Sequence, residues 1–280
     1  MHDRARLVKD LHALGLQSGD DVMVHSSFKS LGGVVGGPPT VVEALLEVVG
    51  PEGTLVVPTF THSGTTHFDP LVSPSHNGAI TEAARAHPRA LRSWHPTHAV
   101  TAIGPAAAEL VRDDLERGAL GRVSKHRAVH YAPVSTSVLR LASLHAAVRR
   151  CWQGCALDKH AQRGGWVLLL GVDHSSDSTI HIGEDYGGDD RHAGGISPAT
   201  PKRIVFTHPV AGDEMEVVVT SMMGNVVLAR HEELDSRLRE GGRQAEGLVA
   251  DAQSRLVRGS HIVEECVAMM REAGVYHHRL

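Results

Sequence analysis

The sequence predicts a single α/β domain with a mixed, partly antiparallel central sheet flanked by helices. Three observations predict it. A strand–loop–helix–strand unit opens the chain over residues 22–58. The apolar run WVLLLGV at 166–172 reads as a strand buried on both faces. Two short runs, 203–207 and 215–220, read as an antiparallel pair. No repeat, low-complexity tract or linker divides the 280 residues, so one domain over 1–280 is expected.

The elements follow in order. Residues 3–14 read as an amphipathic helix, with Ala5, Leu7, Val8, Leu11 and Leu14 near helical spacing. A turn, Gln17-Ser18-Gly19-Asp20, leads to the strand Val22-Met23-Val24. That strand runs into His25-Ser26-Ser27 and a glycine-rich loop at 32–37. Thr40 is the expected N-cap of a helix over 41–49, with Glu43 three residues on. Gly50-Pro51-Glu52-Gly53 ends it, and 54–58 is the next strand. Residues 59–100 read as loop around a helix at 81–86. A strand at 99–103 and a helix at 105–112 come next. Residues 113–153 read as an inserted segment with a helical pattern at 138–148. A Ser/Asp-rich turn and a helix, together over 174–186, follow the strand at 166–172, and helices over 226–240 and 260–273 close the chain.

Composition narrows the class. Hydrophobic residues make up 41% and charged residues 21%, the balance of an ordinary soluble domain. No apolar stretch approaches the ~18 residues of a membrane span. The opening MHDRARLVKDLHALGL carries charges where a secretory leader needs apolar residues. Three cysteines make no disulfide framework, so the cytoplasm is the expected compartment. A net charge of −4 gives no broad attraction to nucleic acid or an anionic membrane. Histidine occurs 21 times, so no single histidine signifies anything without its setting.

Four stretches carry residues suited to chemistry. His25, Ser26, Ser27, Lys29 and Gly32 leave a strand and enter the glycine-rich loop, where exposed N–H groups suit an anion. An ordinary βα turn reads as well, since the loop is neither a Walker loop nor G-x-G-x-x-G. His95-Pro96-Thr97-His98 places two histidines three apart in an extended loop. After the strand at 166–172, Ser178 and Thr179 precede His181, and Glu184 shares a helical face with it. A carboxylate beside an imidazole sets its tautomer, and a nearby hydroxyl suits an oxyanion. An N-capped helix with an exposed histidine reads equally well there. Asp185, Asp189 and Asp190 add negative charge that suits a cationic ligand, or simply make a solvated loop. Cys151 and Cys155 with His145 and His160 lack the C-x2-C spacing of a zinc site, and no metal is expected.

Taken in order, these segments resemble the aminoglycoside N(3)-acetyltransferase family of antibiotic N-acetyltransferases. The resemblance is carried by LGLQSGDDVMVHSSFKSLG, VVEALLEVVGPEGTLVVPTFT, FDPLVSPSHNGAITEAARAHPRALRSWHPTHAV, GGWVLLLGVDHSSDSTIHIGED and GLVADAQSRL. It implies the family's own α/β fold and acetyl transfer from acetyl-CoA to an amine, in named members the 3-amino group of a 2-deoxystreptamine ring. It implies His181 as general base, Glu184 as its partner, and Ser178, with Thr179 beside it, as the hydroxyl donor. His25, Ser26, Ser27, Lys29 and Gly32 would cradle acetyl-CoA, and His95, Pro96, Thr97 and His98 would line its thioester end. Asp185, Asp189 and Asp190 would face a cationic small-molecule acceptor. A homodimer is compatible with the resemblance.

The chain departs from the family pattern in three places. Ala99 stands where the family often has serine after HPTH, and Gly154-Cys155-Ala156-Leu157 replaces Gly-Ser-Pro-Leu. The stretch between His98 and Gly154 is longer by roughly two dozen residues, given ordinary boundary error. Another acceptor in specialised metabolism is therefore an open alternative. A metal-dependent hydrolase and a non-catalytic CoA or antibiotic binding protein are the readings from other classes.

Overall fold

The longest apolar runs of the chain pair with one another at the centre of the sheet. A computed structural model describes residues 1–61, 64–112, 127–132, 155–187, 202–210, 212–221 and 227–274. Its elements, in chain order, are α1 (Arg4–Leu14), β1 (Asp21–Ser26), α2 (Pro38–Val49), β2 (Thr54–Pro58), β3 (His67–Phe68), α3 (Ala79–Arg85), β4 (Leu91–Arg92), β5 (Val100–Ile103), α4 (Ala107–Val111) and β6 (Arg127–Ala132). They continue as α5 (Ala156–Gln162), β7 (Trp166–Leu170), α6 (Ile180–Gly187), β8 (Lys202–Thr207), β9 (Glu214–Ser221), α7 (His231–Glu240), β10 (Gln244–Val249), β11 (Ala252–Arg258) and α8 (Gly259–Glu272).

A seven-stranded sheet runs β10-β11-β7-β1-β2-β5-β4. Its centre is parallel: β1 pairs β7 with Val24 opposite Leu168, and pairs β2 with Val22 opposite Leu55. Both wings are antiparallel, Leu256 of β11 facing Leu168 of β7 and Ala102 of β5 facing Val56 of β2. The mixed sheet flanked by helices is the expected architecture.

Successive strand residues point to opposite faces, and each face meets its own helices. Val22, Val24, Leu55, Val57, Leu168 and Leu170 pack with Leu7, Leu11, Leu45 and Val48 of α1 and α2. Met23, Val56, Val167 and Leu169 pack on the other face with Leu110, Leu157, Ile182, Leu234, Ile262 and Met269. Burial on both faces is why the central strands lack polar alternation. In the described residues no helix is long and apolar enough to cross a membrane.

Several elements differ from expectation. α2 begins at Pro38 and is preceded by Gly37, so Thr40 lies inside the helix. Proline suits a first turn because the N–H it lacks would be unpaired there. Within 174–186 the expected turn and helix both form, the turn as a 3-10 turn, His174–Ser176, ahead of α6. The closing helices form, but the hairpin β10–β11 lies between them. β10 is half exposed at the sheet edge, which removes the apolar alternation that would announce a strand. The expected pair β8–β9 belongs to a second, four-stranded sheet, β3-β8-β9-β6. Phe68, Phe206, Ile204 and Ala99 bury together where that sheet meets the first, with Trp94 packed on them. The segment 113–153, its helical pattern at 138–148 included, lies outside the described residues except for 127–132.

Candidate functional site

Parallel pairing puts the carboxyl ends of β7, β1 and β2 on one rim of the sheet. Three of the turns on that rim carry the candidate residues. After β1, the Ser27 N–H donates to the Leu170 carbonyl at 2.9 Å. Ser30 Oγ lies 2.8 Å from Ser27 Oγ and 3.1 Å from the Gly171 carbonyl, which laces the two strand exits together. Gly171 is required at that point. Its φ is +71°, and a Cβ would lie 2.6 Å from Ser30 Cβ.

The exit of β7 leads to α6. Asp173 caps the 3-10 turn by accepting from the Ser175 N–H at 2.9 Å. Asp177 Oδ1 accepts from the Thr179 N–H at 2.8 Å, which shapes the turn into the helix. In the first turn of α6, His181 Nδ1 is 2.9 Å from Glu184 Oε2. Glu184 Oε1 accepts from the N–H groups of Val227 (2.7 Å) and Leu228 (3.1 Å). Both side chains are mostly buried, at 12% and 5% exposure. A carboxylate only accepts, so Nδ1 carries the proton and the lone pair of the neutral ring lies on Nε2. Ser178 is half-buried, whereas Thr179 is buried.

The third turn is the HPTH loop between β4 and β5. His95 Nδ1 faces the N–H groups of Thr97 (3.3 Å) and His98 (3.0 Å), so it accepts and the ring proton sits on Nε2. The loop is tied to the exit of β2: the Thr59 N–H donates to the Ala99 carbonyl, and Thr61 Oγ1 donates to the Pro96 carbonyl at 2.8 Å. Phe60 meets His98 edge-on at 4.6 Å between ring centroids. His95, Pro96 and Thr97 are buried and His98 is half-buried.

The structure thus brings Ser26, Ser27, Ser178, His181, Glu184 and the HPTH loop to one rim. Ser26 and Ser27 are half-buried; Lys29 and Gly32 are exposed beyond them. Gly32 has φ +74°, and a Cβ there would overlap the carboxylate of Asp251 from the β10–β11 turn. His25 faces inward. It is 5% exposed, and its Nε2 is 3.8 Å from Asp177 Oδ1. Burial pushes the His25 imidazole below its ordinary value despite the pull of Asp177. Nothing is described of the Asp185 side chain, and Asp189 and Asp190 lie outside the described residues. Among the described residues no group of three or more His, Cys, Asp or Glu side chains could hold a metal ion. Cys151 and His145 of the zinc candidate lie outside them.

His174, Asp177 and Gln244 are polar residues of this region that sequence reasoning missed. Gln244 comes from a strand 70 residues beyond His174, so no local spacing links them.

A family model described as aminoglycoside 3-N-acetyltransferase matches residues 23–132 and 137–271. The chain belongs to this family. It is 40% identical to aminoglycoside N(3)-acetyltransferase VIII of Streptomyces fradiae over 131 residues, 39% of this chain and 46% of that protein. It thus spans about half the length of that relative in the match. It is 28% identical to aminoglycoside N(3)-acetyltransferase IV of Salmonella over 269 residues, 95% of this chain and 87% of that one. The solved structure of aminoglycoside acetyltransferase AAC(3)-IVa, a mutant in complex with a gentamicin, superposes with a TM-score of 0.74. That match is 26% identical and covers 99% of this chain and 92% of the other.

Proposed function

We propose that the protein transfers the acetyl group of acetyl-CoA to an amino group of a cationic aminoglycoside, by family resemblance the 3-amino group of its 2-deoxystreptamine ring. The observation that carries the reading is the His181–Glu184 pair, buried, tautomer-set and placed at the exit of a central parallel strand. Family membership supplies the reaction class.

The rim suits acetyl-CoA. Exposed Lys29 beyond the hydroxyls of Ser26 and Ser27 offers a cation and donors to a phosphate chain. The HPTH loop, bearing the Nε2–H of His95, would line the thioester end. Nε2 of His181 takes the proton that the amine sheds as its nitrogen bonds to the thioester carbonyl carbon. The Ser178 hydroxyl donates to the oxyanion. As the carbon–sulfur bond breaks, the proton on His181 goes to the departing thiolate. A positioned base and one oxyanion donor together supply roughly 10⁴-fold. Asp185, Asp189 and Asp190 would draw the acceptor's ammonium groups toward the base. This activity suits the cytoplasm, where acetyl-CoA is made and used, and would confer aminoglycoside resistance.

The test is thiol release with acetyl-CoA across a panel of aminoglycosides and simpler amines. Turnover on 2-deoxystreptamine compounds, abolished in His181→Ala with an unchanged circular dichroism spectrum, is expected. Full turnover in His181→Ala would remove the base.

A further inference from the structure

Behind the rim a polar chain runs inward from the β10 edge to buried His174 and Asp177, and the acetyl-transfer reading does not use it. His174 is fully buried; its Nδ1 is 3.0 Å from Asp177 Oδ2 and its Nε2 is 2.9 Å from Gln244 Oε1. The Gln244 amide nitrogen faces two carboxylates, Asp235 Oδ1 at 3.0 Å and Glu246 Oε1 at 3.0 Å. Carboxylates only accept, so that atom is the NH2 and the amide oxygen must face His174. His174 therefore donates from both ring nitrogens and is an imidazolium. Arg255 Nε donates to the same Asp235 oxygen, Oδ1, at 2.6 Å.

The other oxygen of Asp177 accepts the Thr179 N–H, two residues before the base. The next turn hangs on that segment: the Ile180 N–H donates to the Asp177 carbonyl and the His181 N–H to the Ser178 carbonyl. We propose that Asp177, kept ionised by the His174 imidazolium, is a positioning residue that sets the turn presenting Ser178 and the base His181. The proposal rests on His181 being the base of acetyl transfer.

The surroundings agree. Burial opposes charge on His174, but Asp177, together with Gln244 and Asp235, outweighs it and the imidazole is raised above its ordinary value. Asp177 is held below the usual carboxylate range despite burial, chiefly by the hydrogen bond from His174. Among the described residues, His25 of β1, Asp235 of α7 and Cys266 of α8 also face the pair. His25 is neutralised by burial, and its Nε2 has no hydrogen-bond partner among the described residues. The imidazolium of His174 is thus the charge that Asp177 pairs with directly.

The experiment combines kinetics with imidazole ¹⁵N NMR of the full chain. At pH 7.5, where an ordinary histidine is about nine-tenths neutral, His174 is expected to show two protonated ring nitrogens. Asp177→Ala is expected to lower kcat by about 10- to 100-fold with both KM values within about twofold, and to shift the His181 Nδ1–H resonance. Asp177→Asn keeps an oxygen for the Thr179 N–H, so about tenfold of the kcat loss is recovered and that resonance returns. A neutral His174 in the wild-type protein overturns the proposal. So does an equal kcat loss in both variants, or a loss confined to KM. If Asp177→Ala does not fold, the wild-type spectrum and the kcat of Asp177→Asn decide. If no amine is acetylated by the wild type, the acetyl-transfer reading fails, whereas the His174 and His181 resonances still report on the turn.

Discussion

Glu184 holds His181 with one carboxylate oxygen, 2.9 Å from Nδ1, and holds the backbone of Val227 and Leu228 with the other. The geometry makes a specific prediction for Glu184→Gln. The amide oxygen would serve the two N–H groups, leaving only the NH2 to face His181. The imidazole would then have to present its lone pair at Nδ1 and carry its proton on Nε2, the wrong tautomer for a base. kcat is expected to fall by roughly 10²- to 10⁴-fold, with the thermal midpoint little changed. Activity within threefold of wild type would show that Glu184 does not set the tautomer.

Gly183 lets α6 lie close against α8. A Cβ there would sit 2.3 Å from Cys266 Cβ. Gly183→Ala is therefore expected to lose about 1–3 kcal/mol, more than the ~1 kcal/mol that alanine gains in a helix. The midpoint of thermal unfolding should fall by several degrees, and kcat should fall with it because His181 rides on the displaced helix. Cys266→Ala should not rescue it, because the clash is with Cβ. A thermal midpoint at or above wild type would refute the close approach.

His160 on α5 is 1% exposed, and burial pushes its pKa down to about 4. The unfolded chain takes up this proton near pH 6.5, the folded one only near pH 4. Stability is therefore full above pH 6.5 and falls between there and pH 4, by roughly 3 kcal/mol for this group. His25, also lowered by burial, acts in the same direction. The raised His174 acts oppositely, its contribution present below pH 6.5 and lost as pH rises through its folded value. Urea unfolding at pH 7 and pH 4.5 measures the difference, which should shrink in His160→Gln. An undiminished difference would exclude His160 as the titrating group.

Arg92 ties the loop after β2 to the HPTH hairpin. Its guanidinium donates to the carbonyls of Thr59 (2.7 Å) and Ser73 and stands 5.1 Å from the Phe68 ring centroid. Burial lowers its pKa to about 10, so it remains a cation at pH 7. Lysine cannot span the separated acceptors. Arg92→Lys should cost about 1.5–3 kcal/mol and speed proteolysis within 69–75. Unchanged proteolysis would mean the loop is held by other contacts.

The parts legible in the sequence are those with local causes. Val22-Met23-Val24 and Trp166–Leu170 announced themselves as apolar runs because both faces are buried. His181 and Glu184 were legible as a pair because one helical turn brings positions three apart together. β10 was not, since an edge strand with exposed Ala245, Glu246 and Leu248 carries no alternation. Thr40 misled because Pro38 and Pro39 start α2 two residues earlier.

Residue order alone determined that His181 and Glu184 meet, since positions three apart share one face of a helix. Folding decided the rest. The joining of Ser27 to Leu170, the enclosure of His25 beside Asp177, and the contact of His174 with Gln244 all depend on partners between 70 and 152 residues away. Such contacts arise from strand pairing across the sheet, and burial then determines which groups keep a proton.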